Sequence, residues 1–227
     1  MAREVEGRPV LVASLMRTGT HVLIDLILNN LQVYRQSPLY VQVDEYLTAG
    51  LPLEDLLTAG PYVLKTHVPQ LYDDPERLAQ MRRVAAGAVV VIPRREVEAT
   101  RYALARFGQD GRGAADRVEE DFERLCEFYG PFGPHFFDFN QLVRREHAGS
   151  VVRRLSRILD QPLDGLPVAT PDLRRLGRIL LDKALTRSLG AAAPRINTTI
   201  RIGKVPRRGH TAKSVAGMAG AASTPLH

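Results

Sequence analysis

Residues 10–31 read VLVASLMRTGTHVLIDLILNNL: an apolar strand, a short polar turn and an apolar helix, in that order. Val10 to Leu15 suits a buried strand. The turn supplies a forked cation at Arg17, and Gly19, where a backbone without Cβ can approach an anion closely. Thr18 and Thr20 add hydroxyls and a helix start. A segment of this kind aims backbone N–H groups and a helix N-terminus at an anion beyond the edge of a parallel sheet. The turn is neither a Walker P-loop, since no lysine follows its glycine, nor a G-x-G-x-x-G fingerprint.

Strand-like runs recur at Val10–Leu15, Tyr62–Lys65, Ala88–Pro93 and His135–Phe139. Helical patterns lie between and after them, near 21–31, 74–85, 96–107, 116–129, 147–159 and 172–189. This alternation predicts a single-domain, three-layer α/β/α fold with a mostly parallel sheet. Ligands of such sheets bind beyond the carboxyl ends of the strands, which is where Arg17, His67 and Arg94 fall. Residues 32–60 show no clear periodicity. Residues 1–209 read as the domain, and 210–227, rich in Gly, Ala, Ser and Thr, as a disordered tail.

The 227 residues suffice for one substantial core. A net charge of +6 and a pI near 9.8 favour anionic ligands, a polyanionic nucleotide among them. Nucleic acid is not the expected partner, because aromatics make up only 6% and do not interleave with the cations. No apolar run approaches the roughly 18–20 residues of a membrane span, and no secretory signal is read at the N-terminus. The single cysteine, Cys126, excludes an intrachain disulfide framework and falls in a helical pattern as a small core hydrophobe. A cytoplasmic, reducing setting is the expectation. No metal is expected, for want of a His/Cys cluster with ligand spacing.

Arg17-Thr-Gly-Thr20 resembles the 5′-phosphosulfate loop of sulfotransferases, [K/R]-[S/T]-G-[T/S] after a strand. Lys65-Thr-His-Val-Pro69 is similar to the active-site strand of the cytosolic-type enzymes, although the residues alone equally allow a solvent-facing basic edge. The run Val89 to Arg94, with Thr100 on the next helix, resembles the 3′-phosphate segment; here the pair is closer together than usual, which makes Arg95 a competitor of Arg94. His135 to Leu142 looks like the strand that ends in Tyr-Glu-Asp-Leu, a scaffold element. Arg201-Ile-Gly203 resembles the start of the C-terminal cofactor loop, with Ile202 in place of lysine and Pro206-Arg-Arg208 in place of Gly-Asp-Trp.

The resemblance spans residues 10–209 and implies a P-loop-NTPase-like sulfotransferase fold. It implies 3′-phosphoadenosine 5′-phosphosulfate (PAPS) as donor and adenosine 3′,5′-bisphosphate as product. Arg17, Thr18, Gly19, Thr20 and His21 would hold the 5′-phosphosulfate, and Arg94, Thr100, Arg201 and Gly203 the 3′-phosphate side. Lys65 would stabilise the bridging oxygen, and His67 would be the general base for the acceptor. The acceptor is a small molecule, lipid or carbohydrate bearing a hydroxyl or amine; nothing in the residues chooses between them. Two alternatives share the first motif: a P-loop-type nucleotide kinase, which lacks its Walker lysine and a clear magnesium carboxylate here, and a non-catalytic nucleotide- or nucleic-acid-binding protein.

Overall fold

The structure is a computed structural model that describes residues 7–34, 40–50, 53, 57, 60–106, 109–163 and 165–167. Five strands form its sheet: β1 (Val10–Ala13), β2 (Val41–Gln42), β3 (Val63–Thr66), β4 (Val89–Arg94) and β5 (His135–Asp138). Their order is β2-β3-β1-β4-β5, and every ladder between them is parallel. The α-helices that accompany them include α1 (Thr20–Asn30), α2 (Val43–Ala49), α3 (Pro75–Gly87), α4 (Val97–Ala105), α5 (Gln109–Asp116), α6 (Val118–Tyr129), α7 (Phe139–Val143) and α8 (Arg145–Leu159).

The strands alternate by residue between two separate cores, as a sheet covered on both faces must. Val10 and Val12, Val63, Val91 and Phe137 face one side, under Leu23, Ile24 and Ile27 of α1 and Val152 and Leu155 of α8. Leu11 and Ala13, Leu64, Val90 and Ile92 face the other, against Val43 and Leu47 of α2, Met81 and Val84 of α3 and Leu125 and Tyr129 of α6. The expected three-layer α/β/α arrangement with a parallel sheet is therefore the observed one. The chain leaves β1 toward β2 through α1 on one face, then crosses from β3 to β4 through α3 on the other. The carboxyl end of β1 thus lies at a topological switch point, where open α/β sheets leave a crevice.

Local chemistry explains the element ends. Asp74 caps α3 by accepting from the N–H groups of Glu76 and Arg77, and Pro75 occupies the first turn. The fifth strand stops at Asp138, one residue before the expected end, because the Asp138 carboxylate takes the Asn140 N–H and starts α7. The expected helix near 116–129 is α6, and a further helix, α5, precedes it and is parted from it at Arg117. The region 32–60, unreadable in sequence, holds β2 and α2. Cys126 is half-buried on α6 rather than deep in the core. No described helix is long and apolar enough to cross a membrane. The expected helix near 172–189, Arg201, Gly203 and the tail from 210 onward lie outside the described residues.

Candidate functional site

The loop between β1 and α1 turns through two left-handed residues, Arg17 at φ 68° and Gly19 at φ 106°. A side chain at Gly19 is excluded twice, by that φ and by Phe139, whose Cδ2 would lie 2.6 Å from an added Cβ. No side chain caps α1. Its first N–H groups therefore stay directed at whatever fills the loop, with the positive end of the helix behind them. Arg17 is exposed above this turn.

The two threonines do something other than the expected donation. Thr18 is buried and donates its hydroxyl to the Leu15 carbonyl at 2.8 Å. Thr20 is buried and shares a 2.6 Å hydrogen bond with the Ser14 hydroxyl. Both hydroxyls brace the loop from within, so neither is turned outward to a ligand. His21 is exposed on the first turn of α1, its Nε2 3.4 Å from the Tyr40 hydroxyl.

The end of β3 arrives beside the loop because Leu11 to Ala13 pair with Leu64 to Thr66, and the Ser14 N–H continues the ladder to the Thr66 carbonyl. His67 Nδ1 lies 2.8 Å from the Ser14 carbonyl oxygen. A carbonyl only accepts, so Nδ1 carries the proton and Nε2 keeps a lone pair. Burial and then the Lys65 ammonium push the His67 pKa down from 6.5 to about 4, against the Ser14 bond, which raises it. The imidazole is accordingly neutral near pH 7. Lys65 is 6% exposed and donates to Gln42 Oε1 at 3.1 Å. Burial lowers its pKa, while Asp44 and Glu45 oppose that shift.

Asp44, which no sequence signal marked, holds this strand end in place. Its Oδ1 accepts from Thr66 Oγ1 at 2.7 Å, and its two oxygens lie 3.2 and 3.0 Å from the His67 N–H. The Thr66 hydroxyl in turn accepts from the Val68 N–H at 3.0 Å. Burial raises the Asp44 carboxyl, and the Thr66 and His67 bonds and the Lys65 charge pull it back. Asp44 lies in the first turn of a seven-residue helix inside the aperiodic stretch, so only the pairing of β2 with β3 reveals its place.

At the end of β4 the two neighbouring arginines diverge. Arg94 is exposed and reaches across Phe122 of α6, Cζ to ring centroid 5.7 Å. Arg95 stacks on Phe139 at 4.5 Å and donates to the Arg17 carbonyl at 3.2 Å, which ties it to the loop. Thr100 is fully buried and its hydroxyl donates back to the Glu96 carbonyl at 2.9 Å, inside α4. The described fold therefore brings Arg17, Gly19, Thr20, Lys65, His67 and Arg95 to one sheet edge, and leaves Thr100 in the core. Among the described residues no group of three or more His, Cys, Asp or Glu could hold a metal ion.

No protein-family model and no curated protein matches the chain. Among solved structures, a shikimate kinase from Bacteroides thetaiotaomicron is similar at a TM-score of 0.42 and 15% identity, over 68% of this chain and 99% of that one. The fold itself sets a strand, a turn through the left-handed Gly19 and a helix at the switch point of a parallel α/β sheet.

Proposed function

We propose that the chain is a nucleotide-dependent transferase that moves a sulfuryl group from PAPS to a hydroxyl or amine of an acceptor. The observation that carries the reading is a neutral His67, its proton fixed on Nδ1 by Ser14, beside a buried Lys65 and the uncapped α1 loop. The donor supplies an activated sulfuryl group on a bridging oxygen. Arg17 and the amides of residues 19–21 would bind its 5′-phosphate, with Thr18 and Thr20 keeping the turn in shape and His21 at its rim. Lys65 would meet the charge that grows on the leaving phosphate oxygen as the S–O bond breaks. His67 Nε2 would take the acceptor proton as the acceptor oxygen or nitrogen bonds to sulfur. Arg94 or Arg95 would reach the distal phosphate. Arg201 and Gly203 would join from beyond the described residues.

The loop geometry supports anion binding in general, and a nucleotide kinase would use the same strand–turn–helix. The test offers donor sulfate labelled with ³⁵S and ATP labelled at the γ-phosphate, in parallel, to a broad acceptor panel. Labelled sulfate on an acceptor, lost in His67→Ala while adenosine 3′,5′-bisphosphate binding persists, is the expected result. Label passing only from ATP would replace the reading with phosphoryl transfer.

A further inference from the structure

Beside the loop, at the carboxyl ends of β4 and β5, lies a cleft of about 420 Å³, within the range of small-molecule sites. Arg95 and Arg154 line it together with Glu96 and Asp138, while Arg94 lines its rim and carries its guanidinium over Phe122. Arg95 and Arg154 each rest on an aromatic ring, with Cζ 4.5 Å from the centroids of Phe139 and Phe137 respectively. That seating restrains both side chains before a ligand arrives, which lowers the ordering cost of binding. Phe137 is buried, so the platform under Arg154 belongs to the core. Arg154 has no carboxylate partner within ion-pair distance among the described residues.

The cleft and the loop share a wall. Phe139 packs against Gly19 on the loop and carries Arg95 on the cleft side. Arg95 crosses the same seam to the Arg17 carbonyl. One ligand can thus engage both. The remaining lining suits a nucleoside: Phe136 is 36% exposed and offers a face for base stacking. Asp138 spends one lone pair on the Asn140 N–H and retains acceptor capacity for a ribose hydroxyl.

Resting on the transferase reading above, which already puts the nucleoside end at this edge, we propose that Arg154 is a further residue that recognises the phosphate carried there, remote from the anion on the loop. Arg154 sits on α8, outside every segment whose sequence suggests anion binding.

The experiment is calorimetric titration of the full chain with adenosine 3′,5′-bisphosphate and with AMP, for wild type, Arg154→Gln and Arg154→Lys. Arg154→Gln should weaken the bisphosphate about tenfold or more, as for a lost charge-assisted contact, and leave AMP within about twofold. Arg154→Lys keeps the stem and the charge, so it should retain part of the preference and also serves if the glutamine disturbs α8. Equal loss for both ligands, or no loss in either variant, overturns the role of Arg154 and leaves the transfer reading standing. Wild-type protein that binds neither nucleotide overturns both.

Discussion

His67 loses its charge to burial and to the neighbouring Lys65 ammonium, which makes it a base at a pH where an ordinary histidine is partly protonated. The acidic limb of kcat/KM should therefore lie near 4 rather than 6.5. The linkage has the same sign: between those values the unfolded chain binds the extra proton, so the stability due to this group is present above 6.5 and is lost as the pH falls through about 4. A ring ¹H–¹³C NMR titration reads the midpoint directly, and a value near 6.5 would contradict the buried setting. Removing a general base costs about 10²–10⁴ in rate, so His67→Ala should lose transfer by that factor while nucleotide affinity stays near wild type. Arg95→Ala should weaken bisphosphate binding by about 1.5–3 kcal/mol, as a charge-assisted contact is lost. Arg94→Ala should cost less, because only Arg95 is tied to the loop. The reverse ranking in a binding titration would return the distal phosphate to Arg94.

At the scale of elements, the end of β3 depends on a carboxylate from α2. Asp44→Ala would strand the Thr66 hydroxyl and the His67 N–H without their acceptor. Leaving buried donors unpaired costs about 1–3 kcal/mol each, and urea denaturation should show a loss of that order. Asp44→Asn keeps one acceptor oxygen and should cost less. Because burial raises the Asp44 carboxyl, its own contribution to stability is full below its ordinary value of 3.8 and declines as the pH rises through the folded value. Asp44→Asn should remove that decline from the stability profile. The β1–α1 turn depends equally on one residue. Gly19→Ala places a side chain at φ 106° and a Cβ 2.6 Å from Phe139, so it should destabilise by more than about 1 kcal/mol and weaken nucleotide binding together. Thermal melts alongside bisphosphate titrations separate the two effects; a variant unchanged in both would refute the packing of Phe139 on the loop.

For the molecule as a whole, ligand binding should appear as stabilisation. A ligand present at about 100 times Kd adds roughly 2.7 kcal/mol. At about 2–4 °C per kcal/mol for a chain of this size, adenosine 3′,5′-bisphosphate should raise Tm by roughly 5–10 °C. AMP should raise it far less. Matching shifts from the two in a thermal-shift panel would remove the second phosphate site at the sheet edge. The basic balance of +6 also predicts that nucleotide affinity falls with added salt.

The α/β class and the central strand–turn–helix were legible from residue order because both rest on local properties. An apolar run such as Val10–Ala13 has to be buried on both faces, and Gly19 adopts a φ that other residues avoid. The same holds for α3, whose cap and first-turn proline are neighbours in the chain. Lys65 and His67 were visible for a similar reason, as two cation-forming side chains at one strand end. What they do electrostatically was not visible, since the lowered His67 pKa comes from burial and from partners distant in sequence. Strand β2 is two residues long and exists only through its pairing with β3, so the aperiodic stretch around it concealed Asp44. The approach of Arg95 to Arg17 likewise depends on packing between distant segments, whereas Thr18, Thr20 and Thr100 turn their hydroxyls to partners within six residues. Arg154 lies on α8, far along the chain from the loop, and only the alignment of β4 with β5 brings it to the same edge. Residue order determined which segments could be strands, helices and an anion-binding turn, because backbone preference and hydrophobic period act over a few residues. The tertiary structure decided which side chains meet there and which are turned away, because burial and hydrogen-bond partners are set by segments that touch only after the sheet has formed.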